Sequence, residues 1–253
     1  YKFDSVLLNV VRGDTETGYY NAAYNLVFSA VLISNVVNTA LYPSLSRQSV
    51  GNPGSLLRIY EKVFRLLILI SLPLAAGIWA TAGKLIPFLY STSYESSVIA
   101  LKILIWVVPF MFTSEFLGYI VTIENKERLV ARSVVISTCV NILANLILIP
   151  RFGYIGASLM TVLTEMVLVG QYVYLLRRQL AHMDLINIVI RPFLSALLMG
   201  VSVYLLTPWL SMIPLILTGI FVYFLSSIIF GAVSKDDLNL IRRLQPEAET
   251  EGN

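Results

Sequence analysis

The sequence predicts an all-α integral membrane protein, a polytopic helix bundle, and three observations predict it. Hydrophobic residues make up 57% of the 253-residue chain and charged residues 13%, about half the charged share of a soluble domain, with a mean hydropathy of +0.77. The apolar residues fall in runs of roughly 17–25, the length of a bilayer-crossing helix. The 18 Lys and Arg sit at the ends of those runs. The net charge of +3 is therefore spread among connections, and no nucleic-acid partner is expected.

Residues 1–11 are apolar but too short to span, and the chain opens on Tyr1 rather than Met. The expectation is a first helix cut short in the second half of a longer polypeptide. A polar turn at residues 12–18 leads to a span over 19–41, closed by Pro43, and then a Gly/Pro loop. Residues 56–65 alternate apolar with charged side chains, as an interfacial helix does. Spans over 66–82, with Pro73 inside, and 98–123, with Lys102, Pro109 and Glu115, flank a connection at 84–97. After a charged turn at 124–132, the spans 133–149 and 154–176 form a hairpin. Pro150 stops the first of them because it lacks an N–H, and Gly153 frees the turn. A connection at 179–187 precedes spans 188–206 and 210–231, and an acidic polar tail follows.

All Lys and Arg except Arg12, Lys84, Lys102 and Arg151 fall on one side of this alternation. The positive-inside rule makes that side cytoplasmic, together with the C-terminus, in a multi-pass protein of the cytoplasmic membrane. The single His, His182, lies in a loop, so no Ser–His pair forms within the membrane and no His/Cys metal cluster exists. There is no P-loop, and the lone Cys139 has no intrachain disulfide partner. An enzyme is not expected. A polytopic glycosyltransferase or polysaccharide polymerase should carry a large outward loop rich in carboxylates or Arg, and the sequence has none.

The hairpin carries an N-x-x-x-N helix (Asn141, Asn145), an I-P-x-x-G-x-x-G-A joint (149–157) and a T-x-x-x-E helix (Thr161, Glu165). Upstream stand Asp4, G-Y-Y-N-A-A-Y-N-L (18–26), A-L-Y-P-S-L-S (40–46), P-L-A-A-G (73–77) and L-Y-S-T-S-Y (89–94). In order and spacing these motifs resemble the Wzx-type polysaccharide flippases. That superfamily is shared with the lipid II flippases and the multidrug and toxic-compound exporters. The resemblance implies helices seven to fourteen of a two-lobed transporter. Residues 1–178 would be the C-terminal six-helix lobe, 179–233 an additional helix pair and 234–253 a cytoplasmic tail. It implies alternating-access movement of a lipid-linked oligosaccharide through membrane lipid, with an N-terminal lobe of the same polypeptide as partner. A cation-coupled drug or metabolite exporter is the alternative.

It also implies a sodium ion held by Asp4, Asn141, Asn145, the Ala157 carbonyl and Thr161. Asn141 and Asn145 are one turn apart, so both amide oxygens can reach one spot, and hard oxygen ligands suit an alkali ion. The alternative is ordinary hydrogen bonding between helices. Tyr24, Asn25, Glu115 and Glu165 are expected along the substrate cavity, where relatives often carry a basic residue in place of Asn25. The two glutamates could equally serve packing.

Overall fold

The computed structural model describes residues 3–48, 53–181 and 183–232. Helix α1 (Phe3–Arg12) meets α2 (Asp14–Gln48) at Gly13, whose φ is 85°. Arg12 closes α1, while Asp14 and Glu16 open α2, each charge opposing the helix dipole it faces. The turn expected over 12–18 therefore contracts to one residue, and α2 continues past Pro43. Helix α3 (Pro53–Tyr90) likewise fuses the expected interfacial segment, its span and the first half of the connection at 84–97 into one rod. Hydropathy marks where a chain leaves lipid. It does not mark where backbone hydrogen bonding stops.

The opposite correction applies to residues 98–123, which form α4 (Ser97–Leu104) and α5 (Val107–Ile123). Pro109 has no N–H for the Ile105 carbonyl, which accepts instead from Val108 N at 3.1 Å in a tighter turn. Helix α5 ends in a Schellman cap. Lys126 N donates to Val121 O and Asn125 N to Thr122 O, with Asn125 at φ 58°. The charged turn thus spans three residues, and α6 (Glu127–Leu175) begins at once. After α7 (Arg177–Leu180), Asp184 caps α8 (Leu185–Leu206) by accepting from Asn187 N, and α9 (Met212–Ile229) completes the bundle. The Asn187 side-chain and backbone donors hold the exposed Asp184 carboxyl below the usual carboxylate range. His182 and the tail lie outside the described residues.

Among the described residues five helical stretches are long and apolar enough to cross a membrane, with α4 and α5 counted together and the 49-residue α6 counted once. Helix α2 is 35 residues long but is broken up by Asn21, Asn25, Ser29, Ser34 and Asn35, and is not among the five. Polarity is inverted relative to a soluble core. Ser34, Ser71, Ser97, Ser158 and Ser195 are wholly buried, whereas Ile213, Ile229 and Phe221 are 72%, 69% and 66% exposed. An apolar exterior around an interior that holds the polar groups is what lipid demands. The chain is a multi-pass membrane protein. Helix α8 packs along α3, with α9 against α8, while α1, α2, α4 and α5 surround α6.

At about 1.5 Å per residue, a straight α6 would run about 73 Å, more than twice a hydrocarbon core of about 30 Å. It bends at Gly153 (φ 57°, ψ −138°), three residues beyond the expected stop at Pro150, which stays inside the first arm. The bend is held from outside. Arg12 Nη2 donates to Pro150 O at 2.8 Å and Nε to Ile149 O at 3.5 Å, covering carbonyls that end the first arm. Glu16 Oε2 accepts from Tyr154 N at 3.1 Å, capping the second arm, and Glu16 lies 3.8 Å from Arg12. A cation on a C-terminus and a carboxylate on an N-terminus both oppose the dipoles of the broken helix.

A Cβ on Gly153 would lie 2.0 Å from Glu16 Oε2, in a backbone state that favours glycine. Gly153→Ala should therefore destabilise the protein by about 1–3 kcal/mol through backbone strain alone, read as a fall in thermal unfolding temperature in detergent. Gly170→Ala, where a Cβ would meet nothing within 4 Å, should be neutral or slightly stabilising. Equal effects of the two substitutions would contradict this reading of the bend.

Candidate functional site

The bend sets the depth of the polar residues. Asn145 and Thr161 each lie eight residues from Gly153, one on each arm, and Asp4 lies eight residues before Arg12 on α1. Eight helical residues cover about 12 Å, so all three side chains reach one level below the bend. Further down, Asn141 Nδ2 donates to Thr164 Oγ1 at 3.0 Å and Gln171 Nε2 to Ser137 Oγ at 2.9 Å. The two arms are laced by polar pairs along their contact.

Asp4, 9% exposed, is the centre of this level. Its Oδ1 accepts from Asn145 Nδ2 at 2.7 Å, and the same amide nitrogen donates to Asn141 Oδ1 at 3.1 Å. Two acceptors on one amide nitrogen fix the orientation of Asn145. Its Oδ1 is then the atom left buried without a partner. On the other side, the Thr161 hydroxyl lies 3.3 Å from Asp4 Oδ2 and 3.0 Å from Ala157 O. The Tyr20 hydroxyl lies 3.4 Å from Oδ2 and 3.0 Å from Thr161 Oγ1. Two hydroxyl protons thus serve three acceptors. With a carboxylate and an orphaned amide oxygen in the same few ångströms, the cluster has a surplus of lone pairs and of negative charge. It suits a cation bound by oxygen.

The structure brings together Asp4, Asn141, Asn145, Thr161 and the Ala157 carbonyl, and it adds Tyr20, which sequence reasoning missed. No local signal marks Tyr20, because its place one turn beyond Glu16 follows from the bond of Glu16 to Tyr154, 138 positions away. A cleft of about 200 Å³ opens beside the cluster, lined by Asp4, Tyr24, Asn141, Thr161, Thr164 and Glu165 among others. Glu165 accepts a very short hydrogen bond from Ser114. Glu115 and Asn25 are not in the cleft lining. Glu115 accepts from Ser34 Oγ at 2.6 Å between α5 and α2, and Asn25 is exposed on α2. Among the described residues no group of three His, Cys, Asp or Glu could hold a metal ion.

A family model described as "Polysaccharide biosynthesis protein" matches residues 1–99. Among curated proteins, the chain is similar to a probable low-salt glycan biosynthesis flippase, Agl15, of Haloferax volcanii. The match is 23% identical over 162 residues, covering 64% of this chain and 34% of the relative. An uncharacterized membrane protein of Methanocaldococcus jannaschii is 26% identical over 182 residues, covering 71% of this chain and 36% of the relative. The chain thus spans about a third of the length of these relatives. Among solved structures, the lipid II flippase MurJ in an inward closed conformation matches with a TM-score of 0.70 at 21% identity. That match covers 94% of this chain and 52% of MurJ. The resemblance to polysaccharide and lipid II flippases is borne out, and the relatives whose names state an activity are transporters.

Replacing Asn145 with Ala leaves a buried carboxylate oxygen without its donor, a loss of about 1–3 kcal/mol. Asn141→Ala, at a half-buried position facing the cleft, should cost less. Thermal unfolding of both variants in detergent checks the order, and a larger loss for Asn141→Ala would overturn this assignment of the cluster's centre.

Proposed function

We propose that this chain is the C-terminal part of a flippase that carries a lipid-linked oligosaccharide across the cytoplasmic membrane. Residues 1–178 form the lobe, 179–233 the additional helix pair, and the C-terminus faces the cytoplasm. The partner lobe comes from the same longer polypeptide, and the two lobes alternate access to a cavity between them. The observation that carries this reading is the acceptor-rich cluster around Asp4 beside a polar cleft, set in a bundle whose similarities are to flippases. A polar cleft in a lipid-facing protein marks a passage for something polar. The lipid-facing exterior leaves room for the carrier's apolar chain.

The coupling ion in this reading is sodium, and the chemistry of the cluster fits it. The orphaned Asn145 Oδ1, the Asp4 carboxylate, the Asn141 amide, the Thr161 hydroxyl and the Ala157 carbonyl are hard oxygen donors with one formal charge among them. When bound, the ion supplies the charge that compensates Asp4. The chain's own part is to hold these oxygens at one depth, by the bend at Gly153, and to tie α1 to both arms of α6. Asn145 makes that tie from the first arm and Thr161 from the second. Whatever alters the Asp4 network therefore bears on the angle between α1 and the hairpin, at the edge of the cleft. Glu165, reached from the same cleft, is the second group exposed to cargo.

The two carboxylates in the cleft would also suit a cationic cargo, which is the basis of the exporter alternative. The test reconstitutes the full-length protein in liposomes with a fluorescent lipid-linked oligosaccharide. Movement should fall at least about tenfold when choline replaces sodium, the scale set by typical coupling energies, and Asp4→Asn should abolish the difference while remaining folded. Sodium-independent movement, unchanged in Asp4→Asn and Asn141→Ala, would remove the coupling role. Transport of a hydrophobic cation with no movement of the oligosaccharide would replace the flippase reading with the exporter.

A further inference from the structure

On the face of the bundle away from the cleft, α3, α8 and the turn between α4 and α5 enclose a second groove of about 400 Å³. Its floor is made of small residues: a Cβ on Gly200 would lie 3.3 Å from Ala76 Cβ, so the two helices touch there. Its walls are apolar and open to the surroundings, with Leu197, Val201 and Leu205 51%, 49% and 64% exposed. Along α8 the lining runs from Phe193 to Leu205. Twelve residues of helix cover about 18 Å, close to half of the roughly 30 Å hydrocarbon core. The groove is one leaflet deep.

The end of the groove near the C-terminus of α8 is chemically different. There the Trp79 ring packs on Tyr204 at 5.7 Å between centroids, and Lys102 Nζ stands 5.4 Å from the Trp79 ring. Aromatic rings with a snorkelling cation mark a headgroup level. Cations are scarce on this side of the chain, where Arg12, Lys84, Lys102 and Arg151 are the four expected. Arg12 is committed to Ile149 O and Pro150 O, and Lys84 to Leu210 O at 2.5 Å. Among the described residues Lys102 makes no salt bridge, and its recorded contact is the Trp79 face. An ammonium at the headgroup level, over an aromatic face, is placed to meet a lipid phosphate.

We propose that this groove holds one anionic phospholipid of the surrounding bilayer. The phosphate lies on Lys102 beside the Trp79–Tyr204 ring pair, and an acyl chain lies along Gly200 and Val201. A phosphate supplies the anion that Lys102 lacks, and an apolar tail covers a groove with almost no polar atoms. The lipid belongs to the leaflet at the Lys102 end and braces α8 against α3. This inference stands apart from the cargo: it needs only that the chain spans a membrane.

Native mass spectrometry of the full-length protein, released from micelles holding equal phosphatidylglycerol and phosphatidylcholine, tests it. Phosphatidylglycerol should be retained with a preference of about fivefold, the contribution of one lysine near a charged lipid. Lys102→Gln should bring the preference to about one while leaving thermal stability in pure detergent unchanged. Val201→Phe, at a half-exposed position, should lower retention of both lipids by filling the groove, and Trp209→Phe, 84% exposed and outside the lining, should alter neither. Loss of the preference in Lys102→Gln with stability intact supports the site. No retained lipid, equal retention of the two, or a preference that survives Lys102→Gln overturns it. So does displacement of phosphatidylglycerol by an added polyprenyl phosphate, which assigns the groove to a different occupant.

Discussion

The arrangement depends on one constraint: a 49-residue helix has to fold back on itself within a membrane, and both new helix ends must be satisfied where water is scarce. Gly153 permits the backbone to turn, but permission is not enough. The broken hydrogen-bond ladder leaves carbonyls at Ile149 and Pro150 and an amide at Tyr154. Arg12 and Glu16, from the junction of α1 and α2, meet them. The same two residues fix α1 and α2 against the bend. Everything at the site then follows by counting turns, since Asp4, Asn145 and Thr161 stand at equal distances from that clamp.

How much of this was legible in the sequence varies by residue. The hairpin, the pairing of Asn141 with Asn145 and the importance of Asp4 could be read from apolar run lengths, helical spacing and resemblance. Helix ends were read poorly, because hydropathy reports contact with lipid. Residues 84–90 continue α3 although Lys84 is charged, since that side chain reaches the Leu210 carbonyl. The division at Ile105 is signalled only by Pro109, and a proline in a span usually kinks a helix without dividing it. The turn belongs to Gly153 rather than Pro150, which takes one N–H from the first arm without ending it. Arg12 and Glu16 were read as a polar turn. Their partners are more than 130 positions away, and no local pattern announces such a contact.

The two faces of the bundle are suited to different tasks by the same chemistry. Towards the cleft, oxygen acceptors outnumber donors around a buried carboxylate, the chemistry on which the proposed cation site rests. Away from the cleft, a small-residue floor and a single lysine favour an anionic amphiphile. Glu115 illustrates the limit of reading roles from charge alone. It is a carboxylate within a span, yet it accepts from Ser34 between α2 and α5 and is not among the residues lining the cleft.

The proposed role of the cluster around Asp4 is to bind a monovalent cation through its surplus oxygens. The most direct measurement is the thermal unfolding temperature of the full-length protein in detergent, titrated with sodium chloride against choline chloride at constant ionic strength. A ligand that binds only the folded state raises stability with the logarithm of its concentration. A sodium-specific rise should appear, should vanish in Asp4→Asn and Asn145→Leu, and should persist in Glu115→Gln. An equal rise with choline, or a sodium response undiminished in Asp4→Asn, would contradict the account.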